Sequence, residues 1–161
     1  MRVRAATADD RDWIEPFLAV HGSTRVARRG EIVPPIDHPM LIAESDGAPA
    51  GLLTYVVGGG ECEILTIHAT RQWAGAGSAL IAAIRELAVA RSCRRLWVLT
   101  TNDNIDALRF YQRRGFRFAA LRPGAVDDAR QRLKPEIPVV GEYGIPIRDE
   151  FELELWLSPE R

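Results

Sequence analysis

The sequence predicts an α+β fold built on a mixed sheet. Three consecutive strand-like segments follow the first helical segment and are joined by glycine turns, an order typical of antiparallel hairpins. A strand, a glycine turn, a helix and a further strand then imply one parallel pair. The last segment, Phe151 to Leu157, alternates apolar with mostly acidic residues, as a strand with one buried face does. We expect a mostly antiparallel sheet with a central parallel strand pair, flanked by helices.

Length and composition favour one globular domain over residues 1–161, because 47% of the residues are apolar. The formal net charge of −1 leaves no basic footprint, so we expect no nucleic-acid partner. Cys62 and Cys93 lie in no CxxC or Cys/His cluster, which predicts reduced thiols and no metal site. No apolar run reaches about 18 residues and no signal core opens the chain, so we expect a cytoplasmic protein without a membrane partner.

The N-terminal half is expected to alternate helices and strands. Apolar residues at positions 13, 14, 17 and 18 predict a helix from Asp9 to Val20. The run from Ser23 to Gly30 is interpreted as a second short helix that ends at its glycine. Strands are predicted at Arg2–Ala6, Met40–Glu44, Ala50–Val57 and Glu61–Ala69.

The C-terminal half contains the strongest predicted helix, Gly75–Arg91, in which Leu80, Ile84 and Leu87 form one stripe. Arg95–Leu99 has the continuous apolar run of a central strand. Further elements are predicted at Asp106–Arg114 (helix), Phe116–Leu121 (strand) and Asp127–Leu133 (helix), before an irregular segment at 134–150. Glu152 and Glu154 could attract a cationic amine, but we expect them on the solvated face of the last strand.

The glycine turn in RQWAGAGSAL, Arg71–Leu80, allows several interpretations. A Walker phosphate loop needs Lys and then Ser or Thr after its second glycine, but Ser78 and Ala79 follow Gly77. A dinucleotide fingerprint needs a third glycine where this chain has Leu80. A plain strand-to-helix turn and an anion site at a helix N-terminus, where free N–H groups point outward, both stay open.

A second motif follows roughly thirty residues later. It reads NxxAxxFYxxxGF, at Asn104, Ala107, Phe110, Tyr111, Gly115 and Phe116. Together with Q/RxxGxG at Gln72, Gly75 and Gly77, it resembles the two signature motifs of the GNAT superfamily of acyl-CoA N-acyltransferases. The resemblance covers most of the chain, best from Glu61 to Leu121. Two positions depart from it, because many members have Pro in place of Ala69 and Gly in place of Trp73.

The resemblance implies a GNAT-like fold and direct acetyl transfer from acetyl-CoA, without a metal, to a primary amine of a small molecule or peptide. Homodimers are common in that family. An ordinary alkylamine is almost fully protonated at neutral pH, so a carboxylate must take its proton. The family places its base on the strand before the loop, which points to Glu63, with Glu61 second; either could instead be a surface or ion-paired residue. Tyr111 matches the general acid for the thiolate, or is a core tyrosine whose hydroxyl reaches the surface.

The resemblance also implies the cofactor contacts. Asn104 would hydrogen-bond the cofactor, although asparagine there also suits a helix N-cap. Backbone N–H groups around Thr66 to His68 would meet the oxyanion. His68, isolated in the sequence, is expected to be a polar surface or cleft residue. The cofactor-binding residues implied are Leu65, Thr66, Ile67, Gln72, Trp73, Ala74, Gly75, Ala76, Gly77, Ser78, Asn104, Ala107, Tyr111 and Arg113. An alternative function is a catalytically silent coenzyme A-binding sensor or interaction module.

Overall fold

The computed structural model describes residues 1–157, which form two compact units. The first unit contains residues 1–26 and 34–96 together with Leu157, and the second contains Ala27–Val33 and Trp97–Trp156. The strands are β1 (Arg2–Ala5), β2 (Val26–Arg28), β3 (Glu31–Val33), β4 (Met40–Ser45), β5 (Ala48–Gly58), β6 (Glu61–Ala69), β7 (Arg95–Thr101), β8 (Arg117–Arg122) and β9 (Glu150–Trp156). The helices are α1 (Arg11–Val20), α2 (Ala76–Ala90), α3 (Ile105–Gln112) and α4 (Ala125–Arg132), with short 3₁₀ turns at Ala8–Asp10, Pro35–Asp37 and Glu142–Gly144.

The first unit is an antiparallel sheet in the order β1-β4-β5-β6. Helix α1 covers one face, where Ile14 and Leu18 pack with Met40, Ile42 and Leu52 of the strands. All five side chains are buried. Full burial of such a side chain contributes about 1.5–3 kcal/mol each, so this cluster is a main reason why α1 docks on the sheet.

Helix α2 packs on the opposite face of the same strands, because successive strand residues point to opposite sides. A β-carbon on Gly51 would lie 3.0 Å from the carbonyl oxygen of His68 and 3.1 Å from both Ala76 and Leu80. Glycine therefore lets the first turn of α2 approach β5 closely. The start of α2, which carries the glycine motif, is thereby fixed against the sheet.

The second unit contains the strands β7, β9 and β8 in that order, with β8 and β9 antiparallel. The division between the units falls inside β7, after Leu96. Helix α3 follows β7, and α4 follows β8. Asn102 ties the end of β7 to the C-terminal segment, because its side-chain oxygen accepts from the backbone N–H groups of Arg148 and Asp149 at 2.9 and 3.0 Å.

The helix predicted from Ser23 to Gly30 is wrong. The chain instead forms a two-stranded hairpin from β2 and β3. Arg29 and Gly30 have φ of 47° and 78°, the pair of positive values that a type I′ hairpin turn requires. The glycine was interpreted as a helix C-cap, but it is the second residue of a tight turn.

The other predicted helices and strands are present, with ends that shift by one or two residues. Strand β6 has the predicted bounds, Glu61–Ala69. Helix α4 begins two residues earlier than expected, directly after Gly124, which adopts φ of 74° at the N-cap. Within residues 1–157, no helix has the length and apolarity needed to cross a membrane.

Candidate active site

The glycine motif forms an exposed turn that leads into α2. Thr70 closes β6, donating from its N–H and its hydroxyl to the carbonyl of Ala50 at 2.9 and 3.1 Å. Residues 71–75 are exposed, and Gly75 is the N-cap of α2 with φ of 92°. No side chain caps this helix, and its first turn holds no acidic residue. The first N–H groups of α2 lack intrahelical partners by geometry, which suits an anion.

Trp73 holds an unusual conformation within this turn. Its φ is 65°, and its side chain is 72% exposed. A left-handed conformation costs an ordinary residue about 1–2 kcal/mol, whereas glycine adopts it freely. The resembled family often has glycine at this position. The backbone has thus kept the conformation that glycine favours, although the residue is tryptophan.

Strand β6 carries a β-bulge in the middle of the predicted cofactor segment. Thr54 of β5 lies opposite Thr66, whereas the next residue, Tyr55, lies opposite Ile64. Leu65 is therefore the extra residue, and a bulge interrupts the ladder and bends the strand. The hydroxyl of Thr66 donates to that of Thr54 at 3.0 Å, and both residues are buried. This contact fixes β6 beside Ile67, the last of the three predicted residues.

The two candidate bases lie on one face of β6. The register from Gly58 opposite Glu61 to Val56 opposite Glu63 is continuous, so the spacing of two keeps both side chains on the same side. Glu63 is only 4% exposed, which argues against a simple surface residue. Glu61 is more accessible, and its Oε2 lies 3.5 Å from Nε of Arg95. Glu61 is thus held by Arg95, and Glu63 is the more buried of the two candidate bases.

Asn104 is the N-cap of α3. Its Oδ1 accepts from the backbone N–H of Ala107 at 3.2 Å, and its Nδ2 donates to the hydroxyl of Thr100 at 3.2 Å. The capping interpretation is therefore confirmed. These two bonds fix the side chain of Asn104. A direct hydrogen bond from this side chain to a cofactor stays a proposal.

Tyr111 is a buried residue of α3, only 3% exposed. Its ring packs against Phe110 and Phe116, with centroids 5.2 Å apart in each case. Tyr111 is the more buried of Phe110 and Tyr111, so it contributes to the packing here. Burial raises the pKa of the Tyr111 phenol above its ordinary value, so the hydroxyl keeps its proton at neutral pH.

Two arginines end α3 and differ in their surroundings. The guanidinium of Arg114 lies 3.7 Å from the centroid of the Phe110 ring and donates to the Phe110 carbonyl at 2.8 Å. Arg113, the predicted phosphate contact, is the C-cap of the helix and is exposed. Arg113 is accordingly the more accessible of the two for an anion.

Arg130 and Asp103, which order segment 134–150, were not among the predicted site residues. Arg130 donates to the carbonyls of Ile137, Pro138 and Ile147 at 2.8–2.9 Å. Asp103, which is buried, accepts from the N–H of Glu142 at 3.0 Å. No sequence pattern marks either residue, because their partners lie in the irregular segment after α4 and burial is not visible in a sequence.

His68 is not isolated, contrary to the expectation from sequence. Its ring stacks on His21 with centroids 4.3 Å apart, and its Nε2 lies 2.8 Å from the hydroxyl of Ser23. Phe17 and Trp13 extend the column along α1, with centroid distances of 4.5 and 4.6 Å. Burial, and secondarily the charge of His21, lower the pKa of His68 to about 4. The imidazole is therefore neutral at neutral pH.

Glu152 does not lie on a solvated face of β9. It is 5% exposed, and its Oε1 lies 2.8 Å from Nη2 of Arg122 and 3.6 Å from Nη2 of Arg29. Two arginines distant in sequence stabilise this buried carboxylate. The alternation of apolar and polar residues in the sequence could not reveal these two arginines.

The cysteines lie in the first unit as buried free thiols. Burial raises the pKa of Cys62 to about 12, so this thiol is not a nucleophile at neutral pH. Residues 1–157 contain no cluster of three or more His, Cys, Asp or Glu side chains arranged to hold a metal ion.

Solved structures share this fold. An IAA acetyltransferase from Bacillus cereus has a TM-score of 0.74 at 19% identity, covering 97% of this chain and all of that one. A Bacillus subtilis acetyltransferase in complex with CoA has a TM-score of 0.74 at 20% identity, covering 98% and 99%. This likeness confirms the predicted α+β fold, a mixed sheet with mostly antiparallel strands and one parallel pair.

Sequence comparisons identify the family. The profile of the Acetyltransferase (GNAT) family matches residues 9–116. The protein YdhI of Bacillus subtilis (strain 168) is 48% identical over 139 residues, which cover 86% of this chain and 82% of that protein. The mycothiol acetyltransferase of Clavibacter michiganensis is 33% identical over 128 residues, but the match covers only 42% of that longer protein. The chain therefore belongs to the GNAT family of acetyltransferases.

Proposed function

We propose that this acetyltransferase uses acetyl-CoA as the donor and a primary amine as the acceptor, by direct attack without a covalent enzyme intermediate. The observation that carries the proposal is the exposed turn before α2, whose N-cap has no side chain and whose first turn has no acidic residue. Such a terminus offers N–H groups that are not used within the helix, and a positive dipole end, to a pyrophosphate. Acetyl-CoA supplies that pyrophosphate and the thioester that is cleaved.

The cofactor-binding residues act mainly through the backbone in this proposal. Residues 72–78 hold the pyrophosphate, and Arg113 adds a positive charge. The backbone of Thr66–His68, beside the bulge, donates to the thioester oxygen as it gains negative charge. Asn104 and Ala107 keep the first turn of α3 in a fixed position. The bulge supports this assignment because it interrupts the strand ladder beside these residues, and the N-cap supports it because it fixes the first turn of α3.

The chemical step requires several proton movements. Glu63, directly or through water, takes a proton from the ammonium group, so that the amine nitrogen can attack the carbonyl carbon. The C–N bond forms, the C–S bond breaks, and Tyr111 gives its proton to the departing sulfur. The nitrogen then loses its second proton to solvent, and solvent returns a proton to Tyr111. Tyr111 is protonated at neutral pH, as a proton donor must be, although the burial that raises its pKa makes the proton harder to release. Glu61 is second choice for the base because of its ion pair with Arg95.

The test is release of free thiol from acetyl-CoA across a panel of amines. Tyr111→Phe and Glu63→Gln should each lower kcat by about 10²–10³, the usual effect of losing a positioned acid or base. Tyr143→Phe and Glu86→Gln are matched controls at exposed positions and should keep wild-type rates. Equal rates in all four variants would contradict the assigned roles.

A catalytically silent coenzyme A-binding module is the second candidate. The burial of Tyr111 among Phe110 and Phe116 favours it, because packing alone would explain a tyrosine there. This candidate predicts coenzyme A binding by calorimetry with no thiol release on any amine. Turnover that falls steeply in Tyr111→Phe, while the free energy of unfolding stays unchanged, would exclude it.

A further inference from the structure

The guanidinium of Arg29, at the tip of the β2–β3 hairpin, covers two buried groups of the second unit. Its Cζ lies 4.1 Å from the centroid of the Trp97 ring, and its Nη2 lies 3.6 Å from Oε1 of Glu152. Trp97 is only 3% exposed and Glu152 only 5%, whereas the Arg29 side chain is 45% exposed. Arg29 is thus an accessible group that lies over an aromatic face and a carboxylate.

An aromatic face beside a carboxylate is the chemistry that binds organic cations. The charges agree with this. Glu150 and Glu152 contribute two negative charges, and Arg122, which contacts both at 3.2 and 2.8 Å, contributes one positive charge. Arg29 balances the remaining charge. The Arg28 guanidinium also lies 5.7 Å from the centroid of the Trp97 ring, but its charge is paired with Glu31 at 2.9 Å. Withdrawal of Arg29 would therefore leave these side chains with a net charge of −1.

The turn itself does not explain an arginine at this position. Arg29 has φ of 47° as the first central residue of the hairpin turn. Turns of this type prefer Asn, Asp or Gly there, and the left-handed conformation is unfavourable for other residues. Contacts of the Arg29 side chain with Trp97 and Glu152 offset that cost and are lost on its release. The neighbouring Arg28 keeps its own partner, Glu31, at 2.9 Å, so one ion pair of the hairpin remains.

We propose that Trp97 and Glu152 form a binding site for a cationic group of a ligand, and that Arg29 occupies this site until the ligand displaces it. The ligand class is an organic cation that carries a guanidinium or a primary ammonium group. The choice of ligand rests on the proposed function, since an amine acceptor with a second cationic group would fit such a site. The binding site itself can be tested without acetyl transfer.

The experiment removes the internal cation and keeps the turn. Arg29→Asn suits the positive φ and lacks the guanidinium. Binding of methylguanidinium and of butylammonium to the full chain is followed without acetyl-CoA, with the indole N–H signal of Trp97 in NMR as the reporter. Methylurea, which has nearly the shape of methylguanidinium but no charge, is the ligand control.

We expect at least one of the two cations to bind Arg29→Asn about tenfold or more tightly than wild type, because it no longer competes with an internal guanidinium. A further Glu152→Gln change should cancel that gain. Equal affinity of wild type and Arg29→Asn for both cations, or methylurea binding as well as methylguanidinium, would overturn the proposal. The methylurea comparison stays decisive even if the double variant does not fold. Failure here would leave thiol release by the wild-type enzyme unaffected, so the two proposals fail separately.

Discussion

The imidazole ring of His21 lies against that of His68, with centroids 4.3 Å and planes 21° apart. One ring is on the residue that follows α1 and the other is on β6, so the stack joins the helix to the strand that carries the candidate base. The pairing keeps His68 neutral, because burial and the neighbouring imidazole both oppose a positive charge. Acid should therefore weaken this contact.

His68 predicts a loss of stability in mild acid. Its pKa falls from an ordinary value of 6.5 in the unfolded chain to about 4 in the folded protein. Between these values the unfolded chain binds more protons, so the free energy of unfolding must decrease as pH falls from about 6.5 to 4. The loss is at most about 3 kcal/mol. His68→Gln should flatten this part of the pH profile, measured by urea unfolding at several pH values.

The control for that experiment is His38→Gln, which leaves the His21–His68 stack intact and should keep the acid loss. Asp10 acts in a different range. Hydrogen bonds from Arg4 hold its pKa well below the ordinary carboxylate value, so its stabilising contribution is lost only in stronger acid. An unchanged slope in His68→Gln between pH 6.5 and 4 would contradict the assignment.

The left-handed backbone conformation at Trp73 predicts that its replacement by glycine raises the free energy of unfolding. Relief of the left-handed conformation should contribute about 1–2 kcal/mol, against about 0.5–1 kcal/mol for the greater chain entropy of glycine. Trp73→Ala removes the same indole but keeps the β-carbon. We therefore expect Trp73→Gly to have the higher free energy of unfolding of the two. If the alanine variant were as stable as the glycine variant, strain at residue 73 would be refuted.

Gly141 lies in the C-terminal segment where a side chain would not fit, which predicts a loss of stability on substitution. A β-carbon there would overlap the carboxylate of Asp103 and lie 2.7 Å from Cγ1 of Ile147. Asp103 is buried and accepts from the backbone of Glu142, so it has little room to move. We expect Gly141→Ala to lower the free energy of unfolding by about 1–3 kcal/mol, the usual effect of overpacking. Gly58→Ala, which meets nothing within 4 Å, should be close to neutral, and similar losses in both would argue against this packing.

Local patterns predicted most of the fold. Strand β6 was predicted with its observed ends because its apolar residues lie between the Gly58–Gly60 turn and the glycine motif. Helix α2 followed from its stripe of Leu80, Ile84 and Leu87, of which Leu80 and Ile84 are buried. Such elements depend on nearby residues, which a sequence displays directly.

Features that depend on distant residues were not predictable. The hairpin around Arg29 is stabilised by contacts with Trp97 and Glu152, which lie far away in the sequence. Arginine at a hairpin turn gives no local signal, whereas Asn-Gly would have done so. The bulge at Leu65 likewise has no mark in the sequence, because it arises from the register with β5.

The sequence predicted which residues belong to the candidate site better than it predicted how their side chains are arranged. The motif around Asn104 identified the N-cap, and the glycine motif identified the start of α2. The burial of Glu63 and of Tyr111 was not evident, since burial depends on packing across the whole unit. That burial keeps both side chains away from bulk water, and for Tyr111 it fits a packing role as well as a catalytic one.

The most direct test of acetyl transfer is the stoichiometry of the two products. The wild-type chain is incubated with acetyl-CoA and an amine that supports turnover, and free thiol and N-acetylated amine are measured in the same sample. Direct acetyl transfer predicts equal amounts of both products, with a parallel loss of about 10²–10³ in rate for Tyr111→Phe. Coenzyme A binding without either product on any amine, or thiol release without acetylated amine, would contradict it.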